Sequence, residues 1–221
     1  MNDPMPGPIR RRRRWWVYLL WLLGAACVLV VTLVVSAILY WNHLVRTYTS
    51  TQARPLPTIE GAAEKYPVLK ERWDAYALQF LHPEREIPEF ELTAEELNVF
   101  ALHFGPFGKN AFVELRDKDF RIQFCAPLDT TGKDSLRGRY LNGIATITPH
   151  LANGQLDLRI SKLEANGRPA PGWILRQTQK WNLAERLNHR PEFDLAVRAL
   201  DRLEVDPDKV VLHPRTSAKA R

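Results

Sequence analysis

The residues that could carry chemistry include the histidines and acidic side chains, because these residue types bind metals or move protons. Six histidines are spread along the chain, and none stands four residues from another. They are His43, His82, His103, His150, His189 and His213. This spacing predicts no metal site, and we expect no cofactor.

Common catalytic motifs are also missing from the sequence. No Gly-x-Ser-x-Gly segment offers a serine nucleophile. The Gly-Lys pair at 108–109 lacks the spacing and the following Ser or Thr of a phosphate-binding loop. The neighbouring carboxylates of Glu95 and Glu96 fit the charges of a helix N-terminus more simply than acid–base catalysis. We therefore expect that the protein is not an enzyme. An enzyme of unknown type is the third alternative, after the scaffold and lipid-binding functions that are described below.

One group of polar and aromatic residues could bind a lipid headgroup, an anionic ligand or a protein partner. Its members are Arg139, Tyr140, Trp173, Arg176 and Trp181. Arginine and tryptophan alternate along a predicted helix here, which is a pattern that suits such contacts. The alternative is that the aromatic rings pack inward and the charges are solvated.

The basic charge of the chain does not predict nucleic-acid binding. The 221 residues include 31 Lys and Arg against 25 Asp and Glu, a net charge of +6. Residues 1–14 contain five arginines and one aspartate, which supply +4 of it. The other residues carry only +2, which is too little for an electrostatic footprint on phosphate backbones. We expect no nucleic-acid partner.

Residues 15–42 are uncharged and almost entirely apolar. A helix of roughly 20 residues crosses the hydrocarbon core of a bilayer, so this segment predicts a single transmembrane helix. Positive flanks stay cytoplasmic and aromatic rings favour the two interfaces. The residues expected to set this topology are Arg10, Arg11, Arg12, Arg13, Arg14, Trp15, Trp16, Tyr40 and Trp41. The sequence thus predicts a bacterial inner (cell) membrane protein with a cytoplasmic N-terminus (1–14) and a periplasmic C-terminal domain.

Other interpretations of this segment stay open. Val35-Ser36-Ala37 has the small residues of a signal-peptide cleavage site, although the apolar stretch is longer than in a cleaved signal. Cys27 ends a segment that resembles a lipoprotein box, but the residues after it stay apolar. Cys125 alternates with apolar residues and predicts a small, half-buried side chain.

Downstream, residues 43–57 read as a linker, 58–213 as the folded domain and 214–221 as a disordered basic tail. A helix is predicted from Pro67 to the His82-Pro83 pair, because apolar residues recur at helical spacing. Thr93 and Glu96 have the spacing of a capping box that starts a second helix. This second helix is apolar on most sides and could line a groove. The candidate groove residues are Leu97, Val99, Phe100, Leu102 and Phe104.

Alternating and β-branched segments then predict strands. They are 90–92, 112–116, 119–128, 139–149, 155–165, 203–206 and 209–213. Asn153-Gly154 predicts a hairpin turn and Asn142-Gly143 a β-bulge, while helices are expected at 172–187 and 191–200. The fold class is α+β: an N-terminal transmembrane helix, then an antiparallel and curved sheet of about six strands with three or four helices.

Three short segments carry a resemblance to a known family. They are Leu92-Thr93-Ala94-Glu95-Glu96-Leu97-Asn98 at a helix start, Asn166-Gly167-Arg168-Pro169-Ala170-Pro171 before a helix, and Asp206-Pro207 in the closing hairpin. With these segments, the chain resembles the YpmS-like family of bacterial single-pass membrane proteins. The resemblance implies a membrane anchor followed by a domain with hairpin strands, and it supplies no catalytic residues.

These observations favour a scaffold or interaction module of the cell envelope, with the membrane and an envelope protein as partners. The alternative is a domain that binds or carries a lipid or another apolar ligand. An open apolar groove would favour the lipid, and a flat exposed patch would favour a protein partner.

Overall fold

The computed structural model describes residues 13–81, 87–104, 108–152 and 154–215, which form two compact units, residues 1–46 and 47–221. Residues 13–46 of helix α1 (Arg13–Tyr48) form the described part of the first unit. Its segment Trp15–Tyr48 is long and apolar enough to cross a membrane, and the most apolar 18-residue window of that segment is not buried within the protein. Within the described residues, one helix is therefore suited to a single membrane span.

The helix ends six residues later than the predicted membrane segment. Residues 43–48 were expected in the linker, but they contain neither Gly nor Pro and continue the helix to Tyr48. An extended stretch begins only at Thr49. The predicted topology residues Arg10, Arg11 and Arg12 lie outside the described residues, as do 216–221 of the predicted tail.

The second unit contains two antiparallel sheets, which confirms the α+β class and corrects the single sheet of about six strands. The strands of the larger sheet, in spatial order, are β2 (Ala111–Arg116), β3 (Asp119–Pro127), β4 (Tyr140–Ala152), β5 (Gln155–Ala165) and β6 (Arg168–Pro169). The smaller sheet has the order β1 (Phe90–Thr93), β8 (Lys209–Pro214) and β7 (Leu200–Val205). The sheet splits because β1 pairs with β8, the last strand of the chain, and not with its neighbour in sequence.

Five α-helices pack with these sheets in the described part of the second unit, one or two more than predicted. They are α2 (Ala62–Gln79), α3 (Ala94–Phe104), α4 (Gly172–Thr178), α5 (Glu185–Asn188) and α6 (Pro191–Arg198). Helix α2 begins five residues before Pro67, which lies inside it and not at its start. The predicted helix at 172–187 is divided into α4 and α5. The predicted helix end at His82-Pro83 falls outside the described residues.

Local sequence signals explain which face of α2 is buried and where α3 begins. The predicted stripe on α2 is confirmed, because Leu69, Trp73 and Tyr76 are buried there. The capping box is also confirmed. The Thr93 hydroxyl accepts a hydrogen bond from the Glu96 amide (3.2 Å), and the Glu96 carboxylate accepts one from the Thr93 amide (2.9 Å).

The predicted bulge at Asn142-Gly143 is wrong. Gly143 pairs regularly with Phe124 of β3 and Ala165 of β5, and the register of the β4–β5 pair shifts between Thr146 and Ile147. A glycine is needed at 143 for a different reason. A Cβ atom there would lie 2.6 Å from the carbonyl oxygen of Glu164 and 2.8 Å from Cε2 of Phe124.

Asparagine side chains bond to open backbone groups on two strands of the five-stranded sheet. On the edge strand β2, the amide of Asn98 bonds the backbone of Val113. On β5, which the short strand β6 covers only at Glu164 and Ala165, the amide of Asn182 accepts from the Leu158 N–H and donates to the Leu156 carbonyl, each at 2.9 Å. Helix α4 ends at Thr178, and the segment that follows it places Asn182 beside β5. Exposed strand edges invite pairing with other chains, and these amides occupy the bonding groups instead.

Candidate functional site

A cavity of about 190 Å³ lies in the second unit between the two sheets and the helices. Every residue that lines it within the described chain is apolar. The walls from the large sheet and the segments next to it are Val113, Phe120, Ile122, Ile147, Leu151, Leu156, Leu158, Leu183 and Leu187. The opposite walls are Trp73, Leu92, Leu97, Phe100, Ala101, Phe193, Val197, Leu200, Leu203, Val210 and Leu212. A space with such walls excludes water and favours hydrocarbon.

The alternation of the strands explains how the cavity is lined. Leu156 and Leu158 of β5 lie on one face of the large sheet, because they alternate with Asp157 and Arg159 along the strand. Val210 and Leu212 of β8 do the same for the small sheet. Both sheets therefore contribute apolar side chains to the lining of the cavity.

Two of the five predicted groove residues, Leu97 and Phe100, line this cavity. Val99 is buried in the core on another face of α3, and Leu102 is half-buried away from the cavity. The side chain of Phe104 lies outside the described residues. The predicted groove residues therefore lie partly in the cavity lining and partly elsewhere on α3.

Sequence reasoning missed most of the wall. Trp73 lies on the apolar stripe of a predicted helix, but no local pattern indicates that it contacts Phe193 of α6, whose ring stacks on it with centroids 4.7 Å apart. The strand residues could have been found as the inward positions of each alternating segment. Their meeting across two sheets depends on contacts between distant parts of the chain, which no local pattern encodes.

Two buried polar atoms near the cavity have no hydrogen-bond partner among the described residues. They are Nε1 of Trp73 and the hydroxyl of Tyr76, which lie on neighbouring turns of α2. Burial, followed by the nearby negative charge of Glu89, raises the pKa of Tyr76 to about 12. Tyr76 therefore stays a neutral hydroxyl at physiological pH. Trp73 is part of the cavity wall and Tyr76 is not.

The predicted headgroup or partner residues fall into two groups in the structure. Arg139 donates from Nε to the Thr49 hydroxyl (2.5 Å) and from Nη2 to the Thr49 carbonyl (3.1 Å). Tyr140 forms a β-bridge with Ser50. These two residues hold the extended stretch after α1 against β4, which is a structural role that the sequence did not reveal.

The other three predicted contact residues lie in the α4 region and are exposed. Trp173 is 54% exposed and Trp181 is 59% exposed, and Arg176 is also on the surface. Two tryptophans at this exposure are unusual for a surface that contacts only water. These exposed tryptophans are therefore second candidates for contact with a partner.

On α1, the aromatic residues Trp15, Trp16, Tyr40 and Trp41 are all exposed within the helix as described. Cys27 is exposed on the same helix, whereas Cys125 is buried and not half-buried as expected. Neither cysteine forms a disulfide. Among the described residues, no group of three or more His, Cys, Asp or Glu side chains could hold a metal ion.

Comparison of the chain with protein-family models, with curated proteins and with solved structures finds no match. The resemblance to the YpmS-like family stays a prediction.

Proposed function

We propose that this chain is a single-pass membrane protein whose C-terminal unit binds the apolar part of a lipid-like molecule in the cavity. The observation that carries the proposal is a 190 Å³ space whose walls are apolar throughout the described chain. Binding rather than catalysis is proposed because none of these wall residues can exchange a proton. The sequence favours a scaffold function, whereas the cavity favours the binding of an apolar ligand.

The size of the cavity limits what it holds. An apolar cavity of about 150 Å³ stays dry and takes up benzene, so this one suits a hydrocarbon portion of roughly six to eight carbon atoms. Burial contributes about 0.8 kcal/mol per CH₂ before the entropic cost of binding. A longer acyl chain would therefore bind by one segment, and exchange of the ligand would stay fast enough for a carrier or sensor.

Photolabelling tests this proposal on the full chain in lipid nanodiscs. The probe is a short-chain methyl ester that carries a diazirine, and labelled peptides are mapped by mass spectrometry. We expect label on segments 147–158 and 193–203, which contribute cavity walls, in addition to label on α1 from probe dissolved in lipid. Label on α1 alone would contradict ligand binding in the cavity.

A matched pair of variants on α3 makes this test specific. Ala101→Leu adds a side chain at a half-buried position in the cavity wall, and Ala94→Leu makes the same change at a half-buried position outside it. We expect Ala101→Leu to reduce cavity labelling severalfold and Ala94→Leu to leave it unchanged. Equal labelling of the two variants would count against the cavity as the binding site.

We propose further that α1 is an uncleaved anchor with its N-terminus in the cytoplasm and the C-terminal unit in the periplasm. Its support is the run of five arginines before the apolar segment. A reporter that is active only outside the cytoplasm, fused after Arg221, should be active, and an N-terminal tag should remain on the mature protein. Loss of the tag would indicate cleavage, for example after Ala37, and an inactive reporter would overturn the orientation.

A second candidate function is an envelope interaction module, which the exposed tryptophans Trp173 and Trp181 favour. Aromatic residues are enriched at the centres of protein interfaces. In-cell crosslinking should then capture a membrane protein, and the double change Trp173→Ala with Trp181→Ala should abolish that capture. Leu78→Ala, at another exposed apolar side chain, is the control. Capture that survives the double change would exclude this surface as the interface.

A further inference from the structure

Residues 172–181, which include α4, alternate between exposed and half-buried pairs with the period of a helix. Residues 174–175 and 178–179 are half-buried. The side chains between these pairs are exposed and form what we call the α4 face: Trp173, Arg176, Gln177, Lys180 and Trp181. Hydrogen bonds from the Lys180 and Trp181 amides to carbonyls three residues earlier continue the coil past the end of α4. Both tryptophans and two cations therefore lie on one side of the coil.

The charge around the α4 face has a single sign. The chain between Glu164 and Glu185 contains no acidic residue and three exposed basic ones, Arg168, Arg176 and Lys180. None of these three forms an ion pair with another described residue. Indole rings favour the interface of a bilayer, and Lys and Arg are attracted to anionic lipids. The composition of this surface is therefore complementary to a layer of anionic headgroups.

A hydrogen bond places the start of this basic segment next to the end of helix α1. The side-chain amide of Asn166, in the turn after β5, donates to the carbonyl of Thr47 (3.3 Å). Thr47 lies five residues beyond Asn42, where the uncharged stretch ends, which is about 7 Å along a helix. The headgroup layer on each side of a bilayer is about 5–7 Å thick. Asn166 therefore lies at the level of the headgroups when α1 spans a bilayer.

Two backbone hydrogen bonds fix the α4 face against β5. The Ala170 N–H donates to the Leu163 carbonyl (2.8 Å), and the Leu183 N–H donates to the Leu158 carbonyl (3.0 Å). These bonds lie before and after the α4 face in the chain, so its backbone is held at both ends. A surface that is already ordered loses little conformational entropy when it binds.

We infer that the α4 face lies on the anionic headgroups of the bilayer that α1 crosses, with α4 along the surface. This inference rests on the proposed membrane anchor, because that anchor brings Asn166 to the headgroup layer. It assigns Trp173 and Trp181 to lipid, whereas the second candidate function assigns them to a protein partner. The charge favours lipid, because protein interfaces are depleted in lysine, whereas each cation beside an anionic bilayer strengthens binding about fivefold.

Photocrosslinking with p-benzoylphenylalanine tests this contact on the full chain. The photoreactive residue replaces Trp173 or Trp181, and the chain is placed in nanodiscs of phosphatidylcholine or of its equal mixture with phosphatidylglycerol. Mass spectrometry measures the lipid adducts. We expect adducts at both positions, with a severalfold higher yield in the mixture. Leu78 of α2, which is 59% exposed like Trp181, is the control position and should give few adducts in either nanodisc.

A matched pair of charge variants tests the contribution of the cations. Arg176→Gln with Lys180→Gln removes two charges from the α4 face, and Arg116→Gln with Lys118→Gln removes two from the exposed β2–β3 hairpin. With the photoreactive residue in place of Trp173, the first pair should lower the yield in the mixture towards that in phosphatidylcholine. The second pair should leave the yield unchanged. Equal effects of the two pairs would overturn the inference, because the total charge and not the α4 face would then govern the contact.

The outcomes separate this inference from the proposals made above. Failure of the chain to enter nanodiscs would overturn the anchor and this inference with it. Incorporation without lipid adducts at Trp173 and Trp181, or with an equal yield at Leu78, would overturn the contact of the α4 face alone. In cells, protein adducts at both tryptophan positions without lipid adducts would overturn it in favour of the interaction module. Labelling of the cavity does not depend on any of these results.

Discussion

The side-chain amide of Asn98 takes the place of a neighbouring strand beside Val113. Its Nδ2 donates to the Val113 carbonyl and its Oδ1 accepts from the Val113 N–H, both at 2.6 Å. A further bond from Nδ2 to the Ala94 carbonyl (2.8 Å) fixes the amide on α3. One buried side chain thereby attaches the cavity-lining helix to the edge of the large sheet.

Replacing Asn98 with alanine should destabilise the C-terminal unit by about 2 kcal/mol or more. The change leaves the N–H and the carbonyl of Val113 buried without partners. Urea unfolding of the full chain in nanodiscs, followed by near-ultraviolet circular dichroism, measures the loss. Gln177→Ala, on the exposed surface of α4, is the control and should stay within about 0.5 kcal/mol. A similar midpoint for both variants would show that the amide contributes little.

Gly143→Ala should destabilise the same unit by about 1–3 kcal/mol. The added methyl group would press against the Glu164 carbonyl and the Phe124 ring, and the backbone of β4 cannot move away from both. Gly172→Ala at the start of α4 is the matched control. The nearest atom there is the end of a flexible arginine at 3.5 Å, so this change should be neutral or slightly stabilising. A shift of the urea midpoint in the same direction for both would contradict the packing argument.

Glu96 should make the stability of the C-terminal unit sensitive to acid. Burial opposes its charge, but hydrogen bonds from Arg72 and the Thr93 amide outweigh burial and lower the pKa of Glu96 below its ordinary value. Because the folded pKa is the lower one, the stabilisation is present above the unfolded pKa and disappears as pH falls through the folded pKa. Glu96→Gln should therefore reduce the loss of unfolding free energy between neutral pH and pH of about 3.

The control for the acid prediction is Glu60→Gln, at an exposed glutamate that precedes α2. The loss of unfolding free energy of this variant on acidification should match that of the native chain. An unchanged acid response in Glu96→Gln would show that the contacts with Arg72 and Thr93 do not favour the charged form in the folded state.

Local signals in the sequence predicted the elements well and the site only in part. The capping box of Thr93 and Glu96 involves residues three apart, and the alternation along β5 involves neighbours, so short windows contain both signals. The Asn98–Val113 and Asn182–Leu158 bonds join residues on different elements, and nothing in the composition distinguishes these asparagines from surface ones. The same holds for the cavity, whose lining residues come from both sheets and from several helices.

Tyr76→Phe should stabilise the C-terminal unit by up to about 1 kcal/mol at neutral pH. The change removes a buried hydroxyl that lacks a partner among the described residues and keeps the ring, which stacks on Phe90 with centroids 4.6 Å apart. It should also remove a dependence on alkaline pH. The pKa of Tyr76 rises from 10.0 to about 12 on folding, so the native chain loses stability as pH rises from the unfolded pKa through the folded one.

Thermal unfolding of the full chain at neutral pH and at pH 11 measures both effects of Tyr76→Phe, and Tyr140→Phe at a half-buried tyrosine is the control. The difference in melting temperature between the two pH values should be smaller in Tyr76→Phe than in the native chain and unchanged in Tyr140→Phe. Destabilisation of Tyr76→Phe at neutral pH would mean that the hydroxyl is hydrogen-bonded in the folded protein.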